Sequence, residues 1–250
     1  MQKDLFSLEG KTVFITGGSS GIGEASAHEC ANAGARVIIS GRNRERLDDV
    51  LASLKGEGHS ALVADITCDA DIERIIKELP ALDGFAHCAG MTMNALLKFS
   101  NWQDIEAVLD TNLLCTIKLS QALIKQRKIN KGGSMVYISS VLASVAFPGL
   151  SAYCASKAGM QGFVRVLAVE MAARQVRANT ISPGSVQTPM TQAASEGRSE
   201  ESIKADLAKY PLGYGVPQDI ACAVRYFLAD ASRWVTGTDF VIDGGMLHYR

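Results

Sequence analysis

The sequence predicts an α/β fold: a doubly wound, parallel, seven-stranded sheet with helices on both faces. Two observations predict it. Short apolar runs, of the kind buried on both sides, alternate with longer amphipathic segments along the whole chain. The first apolar run also leads directly into a glycine-rich turn that opens the first amphipathic segment. With 250 residues and no visible linker or repeat, residues 1–250 read as a single dinucleotide-binding domain.

The elements follow in order. "TVFIT" (12–16) is the first strand, and "GIGEASAHECANAG" (21–34) a helix closed by Gly34, a good C-terminal cap. "ARVIIS" (35–40) and "NRERLDDVLASLK" (43–55) form the second pair, and "SALVAD" (60–65) with a helix over 69–79 the third. "LDGFAHCAG" (82–90) is a strand running into a small-residue turn, followed by one long helix over 102–128. "GSMVYISS" (133–140) precedes a second long helix over 152–174, and "VRANTIS" (176–182) is the sixth strand. A helix over 217–230 and the strand "TDFVIDGG" (238–245) close the series. Between them lies a polar helical stretch, 190–209, with few apolar anchors. It reads as a substrate lid, the plainer reading being a surface insertion.

Composition excludes several classes. Hydrophobic residues at 47% and charged residues at 20% describe a globular chain, not a disordered one. A formal net charge of −1 gives no electrostatic footprint for nucleic acid, and no run of like charge suggests a membrane surface. "MQKDLFSLEGK" lacks the apolar core of a secretory signal, and no run of eighteen apolar residues occurs, so a cytoplasmic location and no membrane partner are expected. The six cysteines lack zinc-ligand spacing and read as buried reduced thiols; no metal is expected. His28 and His59 read as ordinary surface residues.

The glycine-rich turn is "TGGSSGIG", Thr16 to Gly23. Its spacing is not G-x-G-x-x-G, but the physics is that of a Rossmann-type nucleotide site. Glycines let the backbone approach a pyrophosphate, and the helix start offers free N–H groups and a positive dipole end. At the end of the second strand an acid would favour NAD; here "ISGRNRER" presents Gly41 and Arg42. A guanidinium there suits a 2′-phosphate, so NADP(H) is favoured with NAD(H) as the alternative, unless Arg42 is merely solvated. Asp65 meets the adenine amino group or caps the next turn.

"SAYCASKAGM" (151–160) places Tyr153 and Lys157 at i and i+4, on one face of a helix. An ammonium near a phenol favours the phenolate and lowers the tyrosine pKa. Two surface residues on a helix would look the same in isolation.

Taken together, "TGGSSGIG", "CAG" (88–90), Asn112, "SS" (139–140), "YCASK" and "SPGSVQT" (182–188) resemble the short-chain dehydrogenase/reductase family over essentially the full length. Within it the chain looks most similar to single-domain carbonyl reductases, including 3-oxoacyl-(acyl carrier protein) reductases. The resemblance implies a catalytic tetrad of Asn112, Ser140, Tyr153 and Lys157. Ser140 is chosen over Ser139 by the family's thirteen-residue separation from the tyrosine, and because adjacent strand residues face opposite sides. Ser139 is left to satisfy nearby backbone. It also implies cofactor contacts from Gly17, Ser19, Ser20, Gly21, Ile22, Gly23, Arg42, Asp65, Ile66, Ala89, Gly90, Tyr153 and Lys157. Pro183, Gly184, Val186 and Thr188 complete that set, the last two resembling the carboxamide clamp. Leu142, Phe147, Met91 and Met190 are candidate substrate walls.

There are two departures. His87 and Cys88 stand where the family often has two asparagines, and a structural role is expected for His87. Ser20 stands where many NADP-using relatives carry a basic residue. The resemblance implies reduction of a ketone to a secondary alcohol, with a small carbonyl substrate such as a 3-oxoacyl thioester and a homotetramer or homodimer. The alternatives are an alcohol, steroid or sugar dehydrogenase, and a nucleotide-binding regulatory protein without turnover. The chain is too short for the added substrate domain of a sugar-nucleotide epimerase.

Overall fold

The computed structural model describes residues 4–248. In chain order, β1 (Thr12–Thr16) leads into α1 (Gly21–Asn32), β2 (Arg36–Gly41), α2 (Arg44–Ser53), β3 (Ser60–Val63), α3 (Asp69–Glu78) and β4 (Leu82–His87). The second half runs α4 (Trp102–Leu109), a π-helical turn (Asp110–Leu114), α5 (Cys115–Lys125), β5 (Ile129–Ile138) and α6 (Ser151–Glu170). It closes with β6 (Arg177–Pro183), α7 (Pro189–Ser195), α8 (Glu200–Leu207), α9 (Pro217–Leu228) and β7 (Asp239–Ile242).

The seven strands form one sheet in the order β3-β2-β1-β4-β5-β6-β7, every pairing parallel. Strand alternation explains why. Val13 and Ile15 of β1, Val37 and Ile39 of β2, and Val136 and Ile138 of β5 face one core with α1, α2 and α9. Phe14, Ile38, Met135 and Tyr137, one residue out of step, face a second core with α3, α5 and α6. A strand apolar on both faces must be covered on both, and the crossover helices supply the cover. The strand order reverses at β1, which lies between β2 and β4. The carboxyl ends of β1 and β4 therefore border a crevice, the usual ligand position of such sheets.

Several sequence expectations are corrected. The 102–128 helix is interrupted at Asp110–Leu114, where Cys115 N–H donates to Asp110 O across a wider turn. The 152–174 helix ends at Glu170, and the strand expected over 238–245 spans only Asp239–Ile242, whereas the strand from Leu82 ends at His87 and runs into the expected turn. The 190–209 stretch is two helices. Thr188 and Thr191 cap α7, and the Ser199 side chain accepts from Ser202 N–H to start α8. The run Trp102–Lys125 is long and apolar enough by composition to cross a bilayer, yet its stripe Cys115, Leu119 and Leu123 is buried in the second core. All six cysteines are unpaired as expected, but Cys68 and Cys222 are exposed. His59 is not a free surface residue: its Nδ1 accepts from Val37 N–H (3.0 Å) and its Nε2 donates to Lys55 O (3.0 Å), tying the loop before β3 to β2.

Candidate active site

A cleft of about 260 Å³ opens at the reversal point. It is lined by Gly17, Ser19, Ser20, Gly21, Ile22, Gly23, Arg42, Asp65, Ile66, Ala89, Gly90 and Thr188, all expected cofactor contacts. Gly41, Thr67, Cys88, Met91 and Thr111 complete much of the wall. Gly184 lies instead on a neighbouring cavity, while Pro183 and Val186 are buried and line neither. The Val186 carbonyl accepts from the Thr191 hydroxyl at 2.6 Å.

The cleft fits a dinucleotide on its own geometry. A Cβ on Gly23 would stand 2.1 Å from Gly17 O, so only glycine lets α1 start this close to the turn. Gly21 has φ +57° and sits against Thr188. Ser20, at the N-terminal cap of α1, makes no side-chain cap bond, leaving the first-turn N–H groups to meet an anion. At the far end Asp65 caps the turn, accepting from Thr67 N–H (2.9 Å) and Thr67 Oγ1 (2.7 Å), and still lines the cleft. Arg42 is exposed and has no ion pair with an acid among the described residues.

The second cavity, about 390 Å³, adjoins the first at Met190, which lines both. Ser140 and Tyr153 face it, with Leu142 and Phe147 as expected walls. Met91 is a correction: it lines the first cleft, because its backbone is clamped by Asn112. Asn112 Oδ1 accepts from Met91 N–H (2.8 Å), and Nδ2 donates to Met91 O (2.9 Å) and Ser156 Oγ (3.1 Å). Asn112 is fully buried within the π turn, so the helix irregularity and the polar side chain occur together.

Lys157 is buried, its Nζ donating to Ile138 O at 2.8 Å and standing 5.6 Å from the Tyr153 ring centroid. Burial pushes its pKa down to about 8. Tyr153 runs against the sequence expectation. Burial raises its pKa, opposed by the hydrogen bond from Ser140. A phenol kept protonated is suited to donate its proton. Ser139, as expected, serves backbone: its Oγ donates to Lys157 O at 3.2 Å.

Sequence reading placed His87 in a structural role but not its partners. It is fully buried, with Thr16 Oγ1 at 2.9 Å from Nδ1 and Thr116 Oγ1 at 2.8 Å from Nε2. The directions are fixed from both ends. Ala89 N–H donates to Thr16 Oγ1 (3.3 Å), and the Thr116 hydroxyl donates to Asn112 O (2.8 Å). Thr116 then accepts from Nε2–H, and Thr16 donates to Nδ1, so the ring is the neutral Nε2–H tautomer. One chain of hydrogen bonds thus joins the cleft turn at Ala89 to the backbone of Asn112. Burial, with Lys157 nearby, pushes the His87 pKa from 6.5 down to about 3. The unfolded chain therefore binds the extra proton first, and stability is lost as pH falls from about 6.5 toward 3. His87→Asn is expected to flatten that slope in chemical unfolding curves. An unchanged slope would assign the acid sensitivity to other groups.

Comparison with known proteins gives a consistent picture. A family profile described as enoyl-(acyl carrier protein) reductase matches residues 17–247. The 3-oxoacyl-[acyl-carrier-protein] reductase FabG of Rickettsia felis is 34% identical over 244 residues, covering 97% of this chain and 99% of that protein. Two solved structures from Agrobacterium tumefaciens superpose over 98% of this chain and 99% of theirs. One, provisionally named a gluconate dehydrogenase, has TM-score 0.90 at 29% identity. The other, provisionally named a 2-deoxy-d-gluconate 3-dehydrogenase and holding NADP, has TM-score 0.86 at 31% identity.

Proposed function

The chain belongs to the short-chain dehydrogenase/reductase family, and from that premise we propose that Asn112, Ser140, Tyr153 and Lys157 carry its interconversion of a ketone and a secondary alcohol with NADP(H). The observation that carries the assignment is the meeting of the two cavities. The nucleotide-shaped cleft adjoins, at Met190, a pocket into which the paired hydroxyls of Ser140 and Tyr153 open. When bound, the nicotinamide supplies or accepts the hydride. Tyr153 gives the proton to the carbonyl oxygen, and Ser140 hydrogen-bonds the same oxygen and steadies the alkoxide. Lys157 supports the phenolate, and Asn112 anchors the Met91 loop beside the cleft. The complete set speaks against a regulatory protein without turnover. On the same reading the chain is one dinucleotide-binding domain, and the 190–209 stretch, with α7 and α8, is a lid over the second cavity. A cytoplasmic setting is in keeping with the six unpaired cysteines.

A 3-oxoacyl thioester is the first substrate class, supported by the FabG relatives. A sugar-acid dehydrogenase is the second, supported by the names of the two solved relatives. The test follows NADPH and NADH absorbance on 3-oxoacyl thioesters, sugar acids, simple ketones and alcohols, and an enoyl thioester. Reduction of the enoyl thioester alone would overturn the assignment.

Arg42 is the proposed 2′-phosphate contact. A charge-assisted contact contributes about 1.5–3 kcal/mol, and exposure places this one at the lower end, near tenfold. Arg42→Ala is therefore expected to lower kcat/KM for NADPH about tenfold and leave NADH nearly unchanged. An unmodified protein that prefers NADH would make Arg42 a plain surface residue.

Assembly follows from surplus apolar surface. On α6, Val164 and Leu167 are buried while Val166 and Val169 are 57% and 77% exposed; Trp102 of α4 and Leu114 of the π turn are also exposed. We take these faces to pair as a homodimer or homotetramer. Light scattering at micromolar concentration is expected to give a multiple of 26.7 kDa; a monomer mass would count against it.

A further inference from the structure

We propose that the second cavity contains an anion subsite, formed by Arg198 and Lys209, that receives a carboxylate or phosphate carried by the ketone or alcohol substrate. The inference rests on the reading of Ser140 and Tyr153 as the reacting end of that cavity.

The cavity lining combines the Ser140 and Tyr153 hydroxyls with Leu142 and Phe147 as apolar walls. Arg198, Asp206 and Lys209 also line it, and no other acid does. Two cations against one carboxylate leave the lining with a net charge of +1 (2 − 1).

Hydrogen-bond geometry shows where the surplus sits. Asp206 Oδ1 accepts from Lys209 Nζ at 3.1 Å, and Oδ2 accepts from the Tyr214 hydroxyl at 2.9 Å. Arg198 Nη1 stands 3.9 Å from Oδ2, beyond hydrogen-bond distance. The guanidinium is held by its other edge, with Nη2 donating to Ser202 O (3.2 Å) and Oγ (3.2 Å), and Nε to Ser202 Oγ (3.4 Å). Asp206 is thus the only acid within ion-pair distance of Arg198 among the described residues, and its oxygens already have closer donors. Lys209 is fixed as well, its Nζ 4.6 Å from the Phe147 ring centroid.

A guanidinium oriented by Ser202 and lacking a close acceptor on Nη1 is matched by an oxyanion. A neutral alkyl tail in the same place would strip water from Arg198 and Lys209 and return no acceptor, which is unfavourable. The structure therefore favours a substrate with an anionic end over one with a long neutral acyl chain. Two sources share that chemistry: the carboxylate of a free oxo acid, and the phosphate of a phosphopantetheine thioester.

The experiment uses the full chain with NADPH and two matched pairs. Acetoacetate is compared with ethyl acetoacetate, and 3-oxobutyryl-phosphopantetheine with 3-oxobutyryl-pantetheine. The anionic member of at least one pair is expected to exceed its neutral partner at least tenfold in kcat/KM, and the pair that does so identifies the source. Arg198→Gln and Lys209→Met are each expected to lower that ratio about tenfold, through KM with kcat largely kept. Asp206→Asn removes the competing charge and moves the ratio the other way, an inversion that a merely structural role for these side chains would not produce. Turnover of the neutral ketones with no anion preference in either pair sinks the subsite and leaves the proposed function standing. Turnover of no substrate counts against the proposed function. Calorimetric binding of acetoacetate and of phosphopantetheine to the unmodified chain and to Arg198→Gln then decides the subsite separately: weaker binding of either anion by the variant supports it, and equal or absent binding overturns it.

Discussion

Tyr153→Phe is expected to lower kcat about 10²–10⁴-fold, the usual worth of a positioned general acid, while the dissociation constant for NADPH changes little. The substitution removes one hydroxyl and keeps the ring. The ring is half-buried on α6, so its packing against the cavity wall survives and the fold has no reason to change. What is lost is the proton donor and its hydrogen bond with Ser140. Because burial raises the pKa of the phenol, Tyr153 is protonated at neutral pH and ready to donate in the reductive direction. Steady-state kinetics and fluorescence titration of NADPH separate the two effects. Near-normal turnover in Tyr153→Phe would remove this residue from the chemistry.

The fold was legible because its strands are buried on both faces. Runs such as "TVFIT" and "RVIIS" cannot be confused with half-exposed strands, and the glycine turn fixes where the nucleotide end lies. The proposed tetrad was legible as a resemblance, and the structure puts Ser140 and Tyr153 on the second cavity, with Asn112 and Lys157 buried behind Gly90 of the first cleft. What was illegible depends on contacts distant in sequence. The apolar period runs unbroken through 102–125, but the clamp of Asn112 on Met91, twenty-one residues earlier, coincides with a π turn. The partners of His87, Thr16 and Thr116, lie 71 and 29 residues away, so its tautomer had no local signature. His59 was misread for the same reason, since its acceptor role is to the backbone of β2. The pair of helices α7 and α8 is different. Ser199 with its partner three residues on was a local capping signal available in the sequence, and the polar composition hid it. The pKa of Tyr153 was misjudged in sign because i,i+4 spacing gives proximity to the lysine but not the burial of the phenol, which raises it.

Lys157→Met is expected to lose at least about 10² in kcat and yet not to destabilise the protein at neutral pH. The reason is that the fold works against the charge the chemistry uses. Burial lowers the Lys157 pKa from 10.5 to about 8, with Cys88 pulling slightly the other way. A lysine whose folded pKa lies below its unfolded value penalises the folded state while it is charged. The penalty is complete below about pH 8 and is relieved as pH rises from 8 to 10.5, where the unfolded chain binds more protons. At a little over a kcal/mol per pKa unit it amounts to roughly 3 kcal/mol. Removing the amine lifts that penalty but strands the Ile138 carbonyl, at about 1–3 kcal/mol, so the balance lies between about zero and +2 kcal/mol. Activity moves the opposite way with pH. Reduction needs the ammonium to support the phenolate as it forms, so kcat of the unmodified protein is expected to decline above about pH 8. Urea unfolding at pH 7, together with pH–rate profiles of both proteins, reads all three effects. A Lys157→Met protein that is clearly less stable but nearly as active would mean that the lysine is a packing residue, and that the proton on Tyr153 is managed by Ser140 alone.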